Sequence, residues 1–119
     1  MIRTLVLGAS LQKERYANMA IKRLINRGLW VVGIGSREGN VGDCHIYSTQ
    51  IELNNIHTVS IYLNAKNQEG YYDYIIRLNP KRVIFNPGSE NVNLETLLIK
   101  NKIFFERACT LVLLNLNQY

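Results

Sequence analysis

The opening of the chain constrains the fold more than any other stretch. Ile2-Arg3-Thr4 leads into Leu5-Val6-Leu7, a short continuous apolar run. Such a run reads as a strand buried on both faces, because it leaves no face for polar side chains. Gly8 breaks it, Ala9 and Ser10 follow, and an amphipathic segment then spans about residues 14 to 27. Strand, small-residue turn and helix make the first half of a βαβ unit. Its turn lies over a helix N-terminus, where backbone N–H groups and the helix dipole favour an anion. Gly8-Ala9-Ser10 therefore reads as the phosphate-binding corner of a nucleotide-type site. The same three residues also suit a plain tight turn.

The alternation continues along the chain. Ala17, Ala20, Ile21, Leu24 and Ile25 form the stripe of a helix packed by one face, and Gly28 fits its end. A second buried strand covers residues 29–34, where Gly33 and Gly35 mark a place of close approach. Residues 36–43 are polar and glycine-rich and read as a loop. Cys44-His45-Ile46-Tyr47 is a short strand, and Ser48-Thr49 predicts one capped helical turn through Ile51 and Leu53. Residues 58–63 form a β-branched strand. A helix is expected from the Asn64-Ala65-Lys66-Asn67 turn to Leu78, closed by Pro80. Strands at 82–85 and 103–105 flank a helix from Asn91 or Asn93 to Lys100. The apolar tail from Cys109 to Leu116 fits a short helix or an edge strand equally well.

This pattern predicts one α/β domain over residues 1–119, with a doubly wound, mainly parallel sheet of five or six strands and helices on both faces. Ligands of such sheets lie beyond the carboxyl ends of the strands. Four turns collect there: Gly8-Ala9-Ser10, Gly35-Ser36-Arg37, Asn64-Ala65-Lys66 and Asn86-Pro87-Gly88-Ser89. At 47% hydrophobic and 19% charged residues, the chain has enough apolar material for a core. It has no apolar run of membrane-spanning length, and Met1-Ile2-Arg3 leads straight into a strand, so neither a membrane segment nor a signal peptide is expected. Cys44 and Cys109 make no disulfide framework, and a cytoplasmic protein is expected. The net charge of +5 suits an anionic ligand. The basic residues are scattered, with no arginine-rich run, which argues against nucleic acid.

The dinucleotide fingerprint G-x-G-x-x-G is missing, since Gly8-Ala9-Ser10-Leu11-Gln12-Lys13 has one glycine. Where an NAD site places an acid after the second strand, Arg37 arrives first and Glu38 follows. An arginine there suits a phosphorylated ribose, as in coenzyme A or NADP, although a solvated loop arginine fits the position too. Ser10 is a candidate hydrogen-bond donor to a phosphate, and with no assigned base it is a poor nucleophile. His45 and His57 lack chelating partners at helical spacing, and Cys44-His45 are adjacent, so no metal site is expected. Cys109 suits a buried structural thiol better than a nucleophile, with Arg107 its only nearby cation in sequence.

Gly8-Ala9-Ser10, Tyr16, Asn18, the Gly42 turn, Asn86-Pro87-Gly88-Ser89-Glu90-Asn91 and Cys109 occur in this order. Together they resemble the small stand-alone CoA-binding proteins of Rossmann-like fold, relatives of the N-terminal domain of the succinyl-CoA synthetase α subunit. The resemblance covers essentially the whole chain. It departs where that family carries Asn-Pro after the second strand, since this chain has Gly35-Ser36 and then Arg37. The resemblance implies that the turns after the first two strands hold the ADP part of CoA and that later turns hold the pantetheine arm. The expected ligand-binding residues are Gly8, Ala9, Ser10, Tyr16, Gly35, Ser36, Arg37, Asn64, Asn86, Pro87 and Gly88. The expected function is binding of CoA or an acyl-CoA with no chemistry of its own. A small NADP-dependent oxidoreductase and a ligand-sensing interaction module are the alternatives, and a protein partner or homo-oligomer stays open. If Gly8 lines the site, Gly8→Ala is expected to weaken binding about tenfold or more while keeping most stability.

Overall fold

A computed structural model describes residues 1–119. The apolar run at the start becomes β1 (Arg3–Ala9), whose Leu5, Val6 and Leu7 are fully buried. It lies between β2 (Trp30–Gly35) and β5 (Thr58–Ile61), parallel to both, with Leu5 opposite Val32 on one side and Val59 on the other. Beyond β2 come β4 (Cys44–Tyr47) and β3 (Gly39–Val41). Beyond β5 come β6 (Arg82–Phe85) and β7 (Phe105–Arg107). The sheet order is β3-β4-β2-β1-β5-β6-β7, and only β3 is antiparallel to its neighbour. The chain builds outward from β1 on one side, then returns to build on the other. The resulting switch point lies at the carboxyl ends of β1 and β5, where Rossmann-type sheets bind ligands.

Alternate residues of the strands feed two apolar layers. Leu5 and Leu7 pack with Val59, Phe85, Tyr74, Ile75, Leu94 and Leu98, against α3 (Tyr72–Leu78) and α4 (Val92–Lys100). Val6 and Val31 pack with Ala17, Ile21, Leu24 and Leu114, against α1 (Tyr16–Asn26) and α5 (Thr110–Asn115). α2 (Ala65–Gln68) and a 3₁₀ turn at Glu69–Tyr71 precede α3. The expected helix ending at Leu78 is thus broken in three, with Gly70 in the 3₁₀ turn. No helix is long and apolar enough to cross a membrane.

Other boundaries also differ from the sequence expectation. There are seven strands rather than five or six, because residues 36–43 are not all loop. β3 pairs Gly39 with Ile46 and Val41 with Cys44 across the Gly42 turn. Three residues are too short to show a period, and the buried Val41 is their only apolar side chain. Residues 48–53 form no helical turn. They connect β4 to β5 without helix or strand, pinned where the Tyr74 hydroxyl donates to the Ile51 carbonyl at 2.6 Å. The last strand starts two residues later than expected. Ile103 is core, tied by its N–H to the Leu98 carbonyl at 2.9 Å. The tail resolves as helix α5, which buries Leu114 against α1 and is anchored by side-chain bonds from Arg23 to Asn115 and from Arg27 to the Leu114 carbonyl.

The close approach marked by Gly33 and Gly35 is made by the protein itself. A Cβ on Gly33 would stand 2.8 Å from the Ala9 Cβ, and one on Gly35 would collide with the Ala9 carbonyl. Gly8 has the same kind of role. Its φ is +92°, and a Cβ there would lie 3.0 Å from the Leu63 nitrogen and 3.1 Å from the Tyr62 carbonyl carbon. The missing side chain makes room for the backbone leaving β5. The expectation that Gly8→Ala is a mild change is therefore corrected. It should cost about 1–3 kcal/mol of stability through strain alone, read as a lower urea midpoint. An unchanged midpoint would contradict this packing.

Acids whose ionising atoms are desolvated weaken the fold at high pH, among them Cys44, Tyr62, Tyr74 and Tyr119. Burial pushes the Cys44 thiol up to about 11 and the Tyr62 phenol up to about 12, from ordinary values of 9.0 and 10.0. The unfolded chain loses these protons first, so their contribution is whole below about pH 9 and is lost as pH rises through the folded values. Urea unfolding should show a lower midpoint at pH 11 than at pH 8, with a smaller drop in Tyr62→Phe. Equal drops in the two proteins would rule out the Tyr62 part.

Candidate functional site

The switch point opens into a cleft of about 930 Å³. Its walls are the turns after β1, β2, β5 and β6, with Ser48 at the end of β4. These are the four turns singled out in the sequence. Nine of the eleven expected binding residues line it: Gly8, Ala9, Ser10, Gly35, Ser36, Arg37, Asn64, Pro87 and Gly88.

The first turn is held by its own side chains. The Ser10 hydroxyl oxygen accepts from the Gln12 N–H at 3.1 Å, and the buried Asn18 amide donates to the Ser10 carbonyl at 3.0 Å. Ser10 keeps its hydroxyl proton to donate. α1 begins at the cleft with Arg15 as its N-cap residue. No side chain accepts from the first-turn N–H groups, and no acid stands in that turn. Such a terminus favours negative charge. Arg15 lines the cleft and is steadied by the Gln12 amide oxygen, which accepts from its Nε at 3.1 Å.

Arg37, after β2, also lines the cleft and takes part in none of the ion pairs of the chain. The neighbouring Glu38 is occupied elsewhere. It accepts from the Ser48 hydroxyl at 3.3 Å and lies 3.9 Å from His45. The acid that could have met a ribose is thus turned toward β4, outside the lining. Arg15 and Arg37 are the only ionisable cations in that lining, and it contains no carboxylate.

The two other expected residues lie apart. Tyr16 is 70% exposed and does not line the cleft. It sits on the solvent side of α1 with Met19 and Arg23, whereas the buried face carries Ala17, Asn18 and Ala20. Asn86 is buried beneath the cleft floor. Its Nδ2 donates to the Ser60 hydroxyl and the Ile61 carbonyl, both at 2.9 Å, and its Oδ1 accepts from the Thr110 N–H at 2.8 Å. Every polar group of this side chain is used within the protein, so Asn86 shapes the turn that carries Pro87 and Gly88.

Arg15, Leu11, Asn67 and Tyr71 line the cleft without having been singled out. Arg15 alone carried a signal, a cation where a helix start usually has a small polar or acidic residue. Asn67 and Tyr71 sit on the broken helix after β5, whose register a single-helix reading misplaces. Neither histidine lines the cleft, Cys44 is buried in the core, and Cys109 caps α5 outside the lining.

A protein-family model described as "CoA binding domain" matches residues 3–115. A crystal structure titled only as that of an uncharacterized protein is 40% identical, with a TM-score of 0.96 over 100% of this chain and 98% of that one. A hypothetical protein from Pyrococcus horikoshii OT3 is 21% identical, with a TM-score of 0.82 over 91% of this chain and 78% of that one. A protein from Thermus thermophilus is 15% identical, with a TM-score of 0.84 over 99% and 91%. The last two likenesses speak for the fold alone. No protein with a curated description matches. The family match over nearly the whole chain agrees with the cleft at the switch point, and the chain belongs to the CoA-binding domain family.

Proposed function

We propose that the protein binds coenzyme A or an acyl-CoA in this cleft and performs no reaction of its own. The observation that carries the reading is the charge of the lining: two arginines and no carboxylate, at the switch point of a doubly wound sheet. The diphosphate would lie against the Gly8-Ala9-Ser10 turn and the start of α1, with Arg15 beside it. Arg37 would take the ribose 3′-phosphate, since a guanidinium binds phosphate through paired N–H donors. The pantetheine arm would then run between the turns after β5 and β6. The lining offers hydroxyls from Ser10, Ser36, Ser48 and Tyr71, but no histidine, lysine, cysteine or carboxylate to activate one of them. A nucleophile needs such a partner, and this favours a binding module over an enzyme.

Calorimetry with CoA, dephospho-CoA, NADP and NAD tests the reading. CoA should bind more tightly than dephospho-CoA, and NAD should bind weakly or not at all. Arg37→Ala should weaken CoA about tenfold, equivalent to about 1.4 kcal/mol, and leave dephospho-CoA nearly unchanged. Arg15→Ala should weaken both ligands by a similar factor. Equal affinity of the wild type for CoA and dephospho-CoA would remove the role given to Arg37. Tighter binding of NADP than CoA would point to the oxidoreductase-like alternative, and no binding of any of the four would overturn the proposal.

A further inference from the structure

Gln68, the last residue of α2, is completely buried and does not line the cleft. Its amide nitrogen donates to the Leu63 carbonyl at 2.8 Å and to the Ser89 carbonyl at 2.7 Å. Leu63 belongs to the turn after β5 and Ser89 to the turn after β6. One side chain therefore bridges the two turns that flank the arm end of the cleft. Its oxygen is held in turn, accepting from the Asn91 Nδ2 at 2.9 Å. Asn91 also donates to the Tyr72 hydroxyl at 2.9 Å, while its Oδ1 caps α4 by accepting from the Leu94 N–H at 3.1 Å. Both N–H donors of Gln68 are thus used, and the amide cannot flip without facing two carbonyls with its oxygen. A fully satisfied buried network of this kind fixes geometry, whereas one with a partner removed leaves polar groups stranded.

We propose that Gln68 is a positioning residue that sets the width between the two turns, and through it the fit of the pantetheine arm. The inference rests on the CoA-binding reading. It separates the ligand into two parts. The adenosine and its phosphates meet the turns after β1 and β2, which Gln68 does not touch. Only the arm passes between the turns that it ties together.

The test compares CoA with adenosine 3′,5′-bisphosphate, which keeps the nucleoside and the 3′-phosphate but has no arm. Gln68→Met has similar volume and no donor, so it frees both carbonyls. In the folded variant, CoA affinity should fall about tenfold, while the bisphosphate stays within about twofold. An unchanged CoA affinity, or an equal loss for both ligands, would overturn the proposal. A second readout uses the wild-type protein and does not depend on the variant folding. The side-chain amide resonances of Gln68 should shift when CoA is added and stay in place with the bisphosphate. Identical shifts with both ligands would contradict it. Failure of the wild type to bind CoA at all would be a separate result, removing the reading beneath.

Discussion

The carboxyl end of the sheet is built around one contact, the passage of the β5 exit past Gly8. With φ at +92° and backbone atoms of Tyr62 and Leu63 where a side chain would stand, Gly8 lets two neighbouring chains leave the sheet together. The Tyr62 N–H bonds to the Leu7 carbonyl at 2.8 Å, continuing the ladder just past the end of β5. The same crowding recurs one strand over, where Gly35 lies against the Ala9 carbonyl. These contacts fix the floor of the cleft. The walls of the cleft above it come from the turns, not from the space that the glycines leave empty.

Buried amides then set the turns. Asn18 holds the first turn, Gln68 ties the turn after β5 to the one after β6, and Asn86 joins β5 and β6 to the start of α5. Each lies beneath a cleft wall, and Gln68 and Asn86 satisfy all their amide donors within the protein. An unpaired amide in such a place would cost about 1–3 kcal/mol, so Gln68 and Asn86 hold their turns firmly. The two arginines work differently. They stand on the surface of this frame with most of their donors free for an anion.

Much of the frame was legible in the residues. Leu5-Val6-Leu7 needed two buried faces, and the α1 stripe needed one, so the order of strands and helices followed from periodicity. The turns at Gly8, Gly35, Asn64 and Pro87 carried the expected small residues and now border one cleft. The differences have physical causes. β3 is too short for a period, and residues 48–53 are held by distant partners, the Tyr74 hydroxyl on the Ile51 carbonyl and the Gln50 amide on the Gly70 carbonyl. Asn86 looked like a ligand contact because Asn-Pro-Gly is a turn signal. Only the fold reveals that its amide is used up inside. Gln68 carried no local signal, since its partners lie 5 and 21 residues away. Tyr16 was carried by the family resemblance and stands in solvent.

A cleft lined by two arginines and no carboxylate, on a frame fixed by buried amides, is suited to hold a phosphorylated ligand. The most direct measurement is a crystal structure of the protein grown with CoA. The diphosphate should lie against the Gly8-Ala9-Ser10 turn, the 3′-phosphate within hydrogen-bond distance of Arg37, and the arm between Leu63 and Gly88. A ligand bound outside this cleft, or one whose 3′-phosphate points into solvent away from Arg37, would contradict it.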